Sequence, residues 1–310
     1  MLTRATARRY VTSAVFMDTL ITIDVATPGS IGATAEQVQK AFGWFAHVES
    51  LCSRFDETSE LSRLSNSPCD TRVIVSSLLF QLIHFACSVA RVSGGAFDPT
   101  VGHAMQVLGF NRNYLTGETI SSANEAGARC SYRDIELDPT NRTVTITRPL
   151  VLDLGAVAKG FAIDLAAEEL KPLENFAINA GGDILARGHH SANTPWLIGI
   201  RHPRQPEDAI DTLLISDAAV CTSGDYERPR PDGQPGHHLL DPQTRQPVEG
   251  VASVTVVAPT AMLADALSTA AFVLHQDEGI DLLESQSVEG LIVSADLQTF
   301  ETTGLSKYRL

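Results

Sequence analysis

Alternation of apolar and polar side chains is sharpest in "TLITIDV" (19–25). Ile21, Ile23 and Val25 fall on one side and Leu20, Thr22 and Asp24 on the other, a period of two that predicts a half-buried strand. The period then changes. Val38, Ala41, Phe42, Phe45 and Val48 recur at helical spacing, and Thr34 with Gln37 three residues on forms a capping-box pattern that predicts the helix start. "LLFQLIHFACSVARV" predicts a second helix, beginning at Ser76 or Ser77 and stopped by Gly94-Gly95. "DIELDPTNRTVTI" predicts a hairpin turning over Asp138-Pro139-Thr140-Asn141. Further strands are expected at 176–178, 184–187, 196–200, 213–216, 253–258 and 290–294, and helices at 157–170, 261–274 and 278–285.

Strands and helices mix without a regular βαβ repeat, and several strand pairs read as antiparallel. The expected fold class is therefore α+β, a single domain with mixed or antiparallel sheets and packed helices. No internal repeat or low-complexity linker divides the chain. "ERPRPDGQPG" (227–236), the stretch richest in Pro and Gly, reads as a surface loop.

Composition narrows the function. The 310 residues are 44% hydrophobic and 19% charged, which suits a soluble globular chain with a sizeable core. A formal net charge of -14 argues against nucleic acid as the main partner. Five scattered cysteines without a C-x-x-C pair suit a reducing compartment and favour neither zinc nor a disulfide frame. The start "MLTRATARRYVTSAVFMDTL" has no apolar signal core and no cysteine placed for a lipid, no stretch approaches the length of a membrane span, and a cytoplasmic location is expected. Neither G-x-G-x-x-G nor G-x-x-x-x-G-K-[ST] occurs, so any phosphate ligand must be held by other means.

Four stretches carry candidate chemistry. In "GGAFDPTVG" (94–102), Phe97 is able to cover a flat ring and Asp98 to accept a hydrogen bond, although a helix C-cap followed by a turn explains the same residues. "VLDLGAVAKGFAID" (151–164) runs from strand into helix. Asp153 either caps that helix or meets a ligand, Lys159 is either solvated or functional, and Gly155 and Ala156 leave backbone open. Gly160 costs a helix about 1 kcal/mol relative to Ala, which hints at close approach by another group. In "TSGDYERPRPDGQPGHHLLDPQTRQPV" (222–248), adjacent His237 and His238 point to opposite faces of an extended chain, so at most one serves a given site as a proton carrier. In "APTAMLADALSTAAFVL" (258–274), Asp265 and Thr269 share a helix face and offer hard oxygens, a set for Mg²⁺ completed by substrate phosphates. A polar surface stripe is the plainer account, but a lone Asp in so apolar a helix is costly unless paired or coordinated.

In order along the chain, "FMDT", "SRFDETSELSRLS", "GGAFDPTVG", "LDLGAVAKGFAID", "NAGGDILARG", "TSGDYER", "HLLDPQTRQP" and "ADALSTAAFVL" resemble the ApbE family, the FAD:protein FMN transferases. The resemblance implies one ApbE-like domain over 12–308 behind an N-terminal extension of 1–11. It implies Mg²⁺-dependent transfer of FMN from FAD, the substrate, to a Ser or Thr hydroxyl of an acceptor flavoprotein, with release of AMP. Carried over by motif, Asp265, Thr269 and the backbone carbonyl of Ala156 look like the magnesium ligands. Met17, Phe55, Ala96, Phe97, Asp98, Asp153, Lys159 and Leu239 fall where the family contacts FAD, and His238 matches a histidine proposed to take part in transfer. The glycine turn of "NAGGD" falls near the site, with its individual contacts open. Asp18 and Arg245 stand where the family carries glycine, and His103 where it carries proline; these departures bear on the acceptor more than on FAD. Two alternatives fit the same residues: an FAD pyrophosphatase yielding FMN and AMP, and an FAD-binding protein without turnover.

Overall fold

The structure, a computed structural model, describes residues 9–26, 30–120, 130–191 and 194–309. Among the described residues, thirteen strands and six α-helices follow one another as β1 (Tyr10–Phe16), β2 (Thr19–Val25), α1 (Ile31–Cys52), α2 (Glu60–Ser65), β3 (Arg72–Ile74), α3 (Ser77–Val92), α4 (Gly102–Val107), β4 (Ile135–Asp138), β5 (Thr143–Ile146), α5 (Gly155–Leu170), β6 (Phe176–Ala180), β7 (Asp183–Arg187), β8 (Trp196–His202), β9 (Gln205–Ile215), β10 (Ala218–Gly224), β11 (Val251–Ala258), α6 (Ala261–Ser285), β12 (Glu289–Ser294) and β13 (Thr299–Glu301). The α+β expectation holds.

Eight strands form one antiparallel sheet in the order β1-β2-β6-β7-β10-β11-β12-β13. Its two faces are covered differently. Ile21, Ile23, Val254, Val256 and Ile292 join the helices in the main core, while Val257, Leu291 and Val293 pack with Trp196, Ile198, Leu213 and Ile215 of the β8–β9 hairpin. Covered on both faces, β11 is buried at every position, Ser253 and Thr255 included. Each large aliphatic side chain taken out of water in these layers contributes roughly 1.5–3 kcal/mol. A small sheet, β3-β5-β4, includes the expected hairpin, whose turn is closed by Asp138 Oδ1 accepting from the amides of Thr140 and Asn141.

Several boundaries move. β1 begins at Tyr10 and pairs with Val25, so the sheet starts before residue 12; residues 1–8 of the expected extension lie outside the described residues. The Thr34/Gln37 capping box is not formed. α1 starts at Ile31 after Ser30, Thr34 is buried within it, and the Gln37 amide donates across to the Glu169 backbone and side chain on α5. Interhelical packing has claimed the side chains that local pattern assigned to a cap. The helices expected at 261–274 and 278–285 run as one element broken at His275, whose φ of 62° is incompatible with a helix. Met17 and Asp18, at φ of 53° and 59°, form a two-residue turn between paired Phe16 and Thr19. This is a hairpin turn in which both central residues are left-handed, so Asp18 adopts the conformation that glycine takes without strain. Arg245 does the same at φ 60°, closing a turn in which its amide donates to Asp241 O at 2.7 Å.

Candidate active site

The site forms where several element ends meet. The Met17-Asp18 turn lies beside the Gly181-Gly182 turn of β6–β7, and the Gly181 amide donates to Leu20 O at 3.2 Å. Gly181 and Gly182 have φ of 63° and 101°, so β7 begins immediately after with Asp183, on the inward side with Leu185. The Asp183 side chain is 2% exposed. It forms an ion pair with Lys159 and accepts the Thr222 amide at 3.1 Å.

Lys159 stands in the second turn of α5, directly before Gly160, where α5 crosses α6. The crossing is set by Gly160 and Asp164. A Cβ at Gly160 would lie 2.6 Å from the Ala261 and Met262 backbone, and Asp164 accepts the Ala261 and Met262 amides at 2.8 and 3.0 Å. The close approach that Gly160 implied is therefore the backbone of α6. Burial pushes the Asp164 carboxyl up to about 6, against the pull of those two amides.

This crossing brings the Asp265 carboxylate against the Gly160 amide. In an α-helix the carbonyl of residue i faces the amide of i+4, so the Ala156 carbonyl belongs to the same corner. Asp265 is buried and its Oδ2 has no hydrogen-bond partner. Burial and the charge of Asp183 raise its proton affinity; Lys159 and the Gly160 amide oppose them. Burial alone would lower the Lys159 ammonium, but Asp183 and Asp265 together raise it above its ordinary value. Thr269, one turn beyond Asp265, meets Ser223 Oγ at 3.2 Å.

A second wall comes from the loop after β10. The His238 amide donates to Arg228 O at 3.2 Å, and its ring meets the Phe110 ring edge-on at 6.4 Å. The residue is half-buried, and Nδ1 is enclosed and without a partner. Burial, then the charges of Arg228, His237 and Lys159, push the imidazole down to about 3, so it is neutral at ordinary pH. Its neighbour His237 faces elsewhere, with Nε2 against Val248 O at 2.9 Å and its ring against Phe272.

Asp153 both caps and pairs. Oδ1 accepts the Gly155 amide at 2.8 Å, and Oδ2 lies 2.9 Å from Arg54 Nε. Phe55 lies under that same guanidinium. Ala96, Phe97 and Asp98 reach this region through Pro99, whose carbonyl accepts the Asp153 amide at 2.8 Å. Phe97 is 4% exposed and belongs to the main core. Asp98 is also occupied, Oδ1 by the amide and hydroxyl of Thr100 and Oδ2 by the Tyr132 amide, and it borders a cavity of about 230 Å³ with Gly95, Arg133 and Arg245. Leu239 is buried and serves the core.

Asp183, Arg54 and Arg228 were not among the residues expected from sequence. For Asp183 a signal existed: an acid in register with Leu185 on a short strand must turn inward. Neither arginine is distinguishable from a surface charge without the tertiary structure.

Among the described residues, no three His, Cys, Asp or Glu side chains gather into a metal cage. What the corner offers is one carboxylate with an unmet oxygen, one hydroxyl and one backbone carbonyl. All are hard donors, and their small number suits an octahedral cation whose remaining positions go to water and phosphate. No described helix is long and apolar enough to cross a membrane.

Residues 17–292 match the model of the ApbE family. A relative from Haemophilus influenzae named FAD:protein FMN transferase is 30% identical over 306 residues, covering 94% of this chain and 88% of its own. One of the same name from Treponema pallidum is 30% identical over 324 residues, covering 97% and 89%. The crystal structure of the ApbE protein of Thermotoga maritima superposes with a TM-score of 0.85 at 31% identity, covering 98% of this chain and all of that one. The flavin transferase ApbE from Vibrio cholerae gives 0.82 at 25% identity, covering 97% and 99%.

Proposed function

The chain belongs to the ApbE family, and we propose that it transfers FMN from FAD to a serine or threonine hydroxyl of a target flavoprotein, releasing AMP. Transfer of FMN from FAD to protein is the activity for which its relatives are named. The observation that carries the metal-assisted form of this reading is the unmet Oδ2 of buried Asp265, beside the Lys159 ammonium and the Gly160 amide. A desolvated carboxylate oxygen without a partner costs about 1–3 kcal/mol or more, and a cation bridging to an anionic substrate removes that cost.

In this reading Asp265, Thr269 and the Ala156 carbonyl would hold Mg²⁺, which would neutralise diphosphate charge and ease departure of AMP. The chain's own residues do the rest. Lys159, kept charged by Asp183 and Asp265, faces the incoming diphosphate, and Arg228 adds positive charge from the opposite wall. The acceptor oxygen bonds to the phosphorus of the FMN half while the P–O bond to AMP breaks, and the hydroxyl proton passes to His238. Burial and the neighbouring cations hold His238 neutral, with Nδ1 unpartnered. An anionic diphosphate offsets the fields of Arg228 and Lys159, raising the imidazole's proton affinity when a base is needed. Met17, Phe55, Asp153 and the backbone of the 96–98 turn frame the volume for FAD, and Phe97 and Leu239 support it from the core.

The test is product analysis. The protein is incubated with FAD and Mg²⁺, with and without an acceptor domain carrying a Ser or Thr flavinylation site, and analysed by mass spectrometry. One FMN bound through a phosphoester per AMP released supports the proposal. FMN appearing free, at a rate unaffected by the acceptor, makes the chain a pyrophosphatase. FAD surviving intact with Mg²⁺ and acceptor present makes it a binding protein.

A further inference from the structure

Arg54 lies in the turn after α1, and only 10% of its side chain meets solvent. Three contacts fix the plane of its guanidinium. Nε lies 2.9 Å from Asp153 Oδ2, Nη2 donates to the carbonyl of Phe110, and the central carbon stands 4.3 Å from the centroid of the Phe55 ring. The remaining nitrogen, Nη1, is enclosed and has no hydrogen-bond partner. An unmade hydrogen bond on a buried charged group is more expensive than on a neutral one.

The charges around it point the same way. Burial and the neighbouring Arg228 both work against the Arg54 cation, and Asp153 opposes them. Asp153 is itself shared, because its other oxygen caps Gly155 at the start of α5. Arg228 also acts on His238 and Asp265, and Phe110, gripped by Arg54 through its carbonyl, presses its ring against His238. Arg54 therefore borders the same cluster as Lys159 and Arg228. Asp153, Asp183 and Asp265 balance these three cations in number, yet the enclosed N–H of Arg54 has no acceptor among them, and an oxyanion satisfies it where a neutral ring does not. A planar fork held on two sides presents its third corner in a fixed direction, the geometry suited to a phosphate oxygen.

We infer that Arg54 is a further substrate-binding residue, donating through Nη1 to a phosphate oxygen of the dinucleotide's diphosphate. This rests on the FAD reading above. The competing account makes Arg54 purely architectural, a brace between Asp153 and Phe110.

Binding separates the two. Affinities for FAD, ADP and riboflavin are measured by flavin fluorescence and calorimetry, in Mg²⁺, for the wild-type chain, Arg54→Lys and Arg54→Met. Loss of the diphosphate contact weakens FAD and ADP by about 10- to 100-fold and leaves riboflavin within about twofold. Equal losses for all three ligands, or FAD and ADP binding unchanged, overturn the inference. If Arg54→Met does not fold, Arg54→Lys, which keeps the charge and loses the fork, decides by the same comparison. Wild-type protein that binds neither FAD nor ADP overturns the FAD reading and this inference with it; binding that survives the substitutions overturns this inference alone.

Discussion

The Lys159 ammonium is ion-paired with the Asp183 carboxylate where only 2% of the Asp183 side chain meets solvent, joining the start of α5 to the start of β7. Asp265 adds a second negative charge to the same ammonium. The pair serves the site more than the fold, since two carboxylates and one ammonium leave a net negative corner that is costly to bury without a further cation.

Breaking this pair from one side is therefore costly. Asp183→Asn is expected to lower unfolding free energy by about 1–3 kcal/mol, less than a fully isolated pair because Asp265 still opposes Lys159. Lys159→Met is expected to cost less in the Asp183→Asn chain than in the wild-type chain, because one of its two carboxylate partners is already gone. A urea-denaturation double-mutant cycle checks this, and additive losses would sink it.

Asp265 is expected to behave in the opposite way. Asp265→Asn removes a buried charge with an unmet oxygen, so the metal-free protein gains about 1–3 kcal/mol. The same change removes a proposed metal ligand, and Mg²⁺-dependent transfer falls by about 100-fold or more. Thermal melts in chelator paired with AMP release test both halves; a variant that melts lower and transfers normally would contradict each.

The pH dependence follows from His238. Its imidazole stays neutral in the folded chain down to about 3, whereas an exposed histidine takes a proton near 6.5. Between these values the unfolded chain binds more protons. Stability is thus fully present above about pH 6.5 and is lost as pH falls below it, by up to about 1 kcal/mol per unit. The raised carboxyls of Asp164 and Asp265 contribute slopes of the opposite sign. His238→Gln is therefore expected to remove only its own component and shift the slope toward loss of stability with rising pH in denaturation series between about pH 5 and about pH 8. A slope identical to wild type refutes the assignment.

Gly160 tests the crossing of the two helices. With backbone of Ala261 and Met262 only 2.6 Å from an added Cβ, Gly160→Ala has no flexible side chain to displace. A stability loss of about 2–4 kcal/mol is expected, together with weaker Mg²⁺ binding because α5 and α6 carry the proposed ligands between them. Calorimetric metal titration of the folded fraction distinguishes this from simple unfolding; undiminished Mg²⁺ affinity would show that the crossing does not hold the ligand set.

Local pattern was most informative where one face of an element is buried and the other is wet. The β2 alternation, the Asp138–Asn141 turn and the Gly94-Gly95 stop could all be read from neighbouring residues, because burial on one side and turn chemistry are local requirements. It misled where distant packing took over, as when Gln37 turned from a cap to α5. Gly160 was noticed for its cost, but which group came close to it could not be known before α6 was in position.

The sequence by itself determined the α+β class, the family and the residue types able to hold a cation, since period, turn chemistry and motif order are written along the chain. Only the tertiary structure decided which charges meet. Lys159 finds Asp183, Asp265 keeps an unmet oxygen, and Arg54 is buried beside Arg228's field because strand ends and helix starts far apart in the chain converge at one corner. Coulomb energy and desolvation depend on distance and burial in space, which spacing along the sequence does not encode.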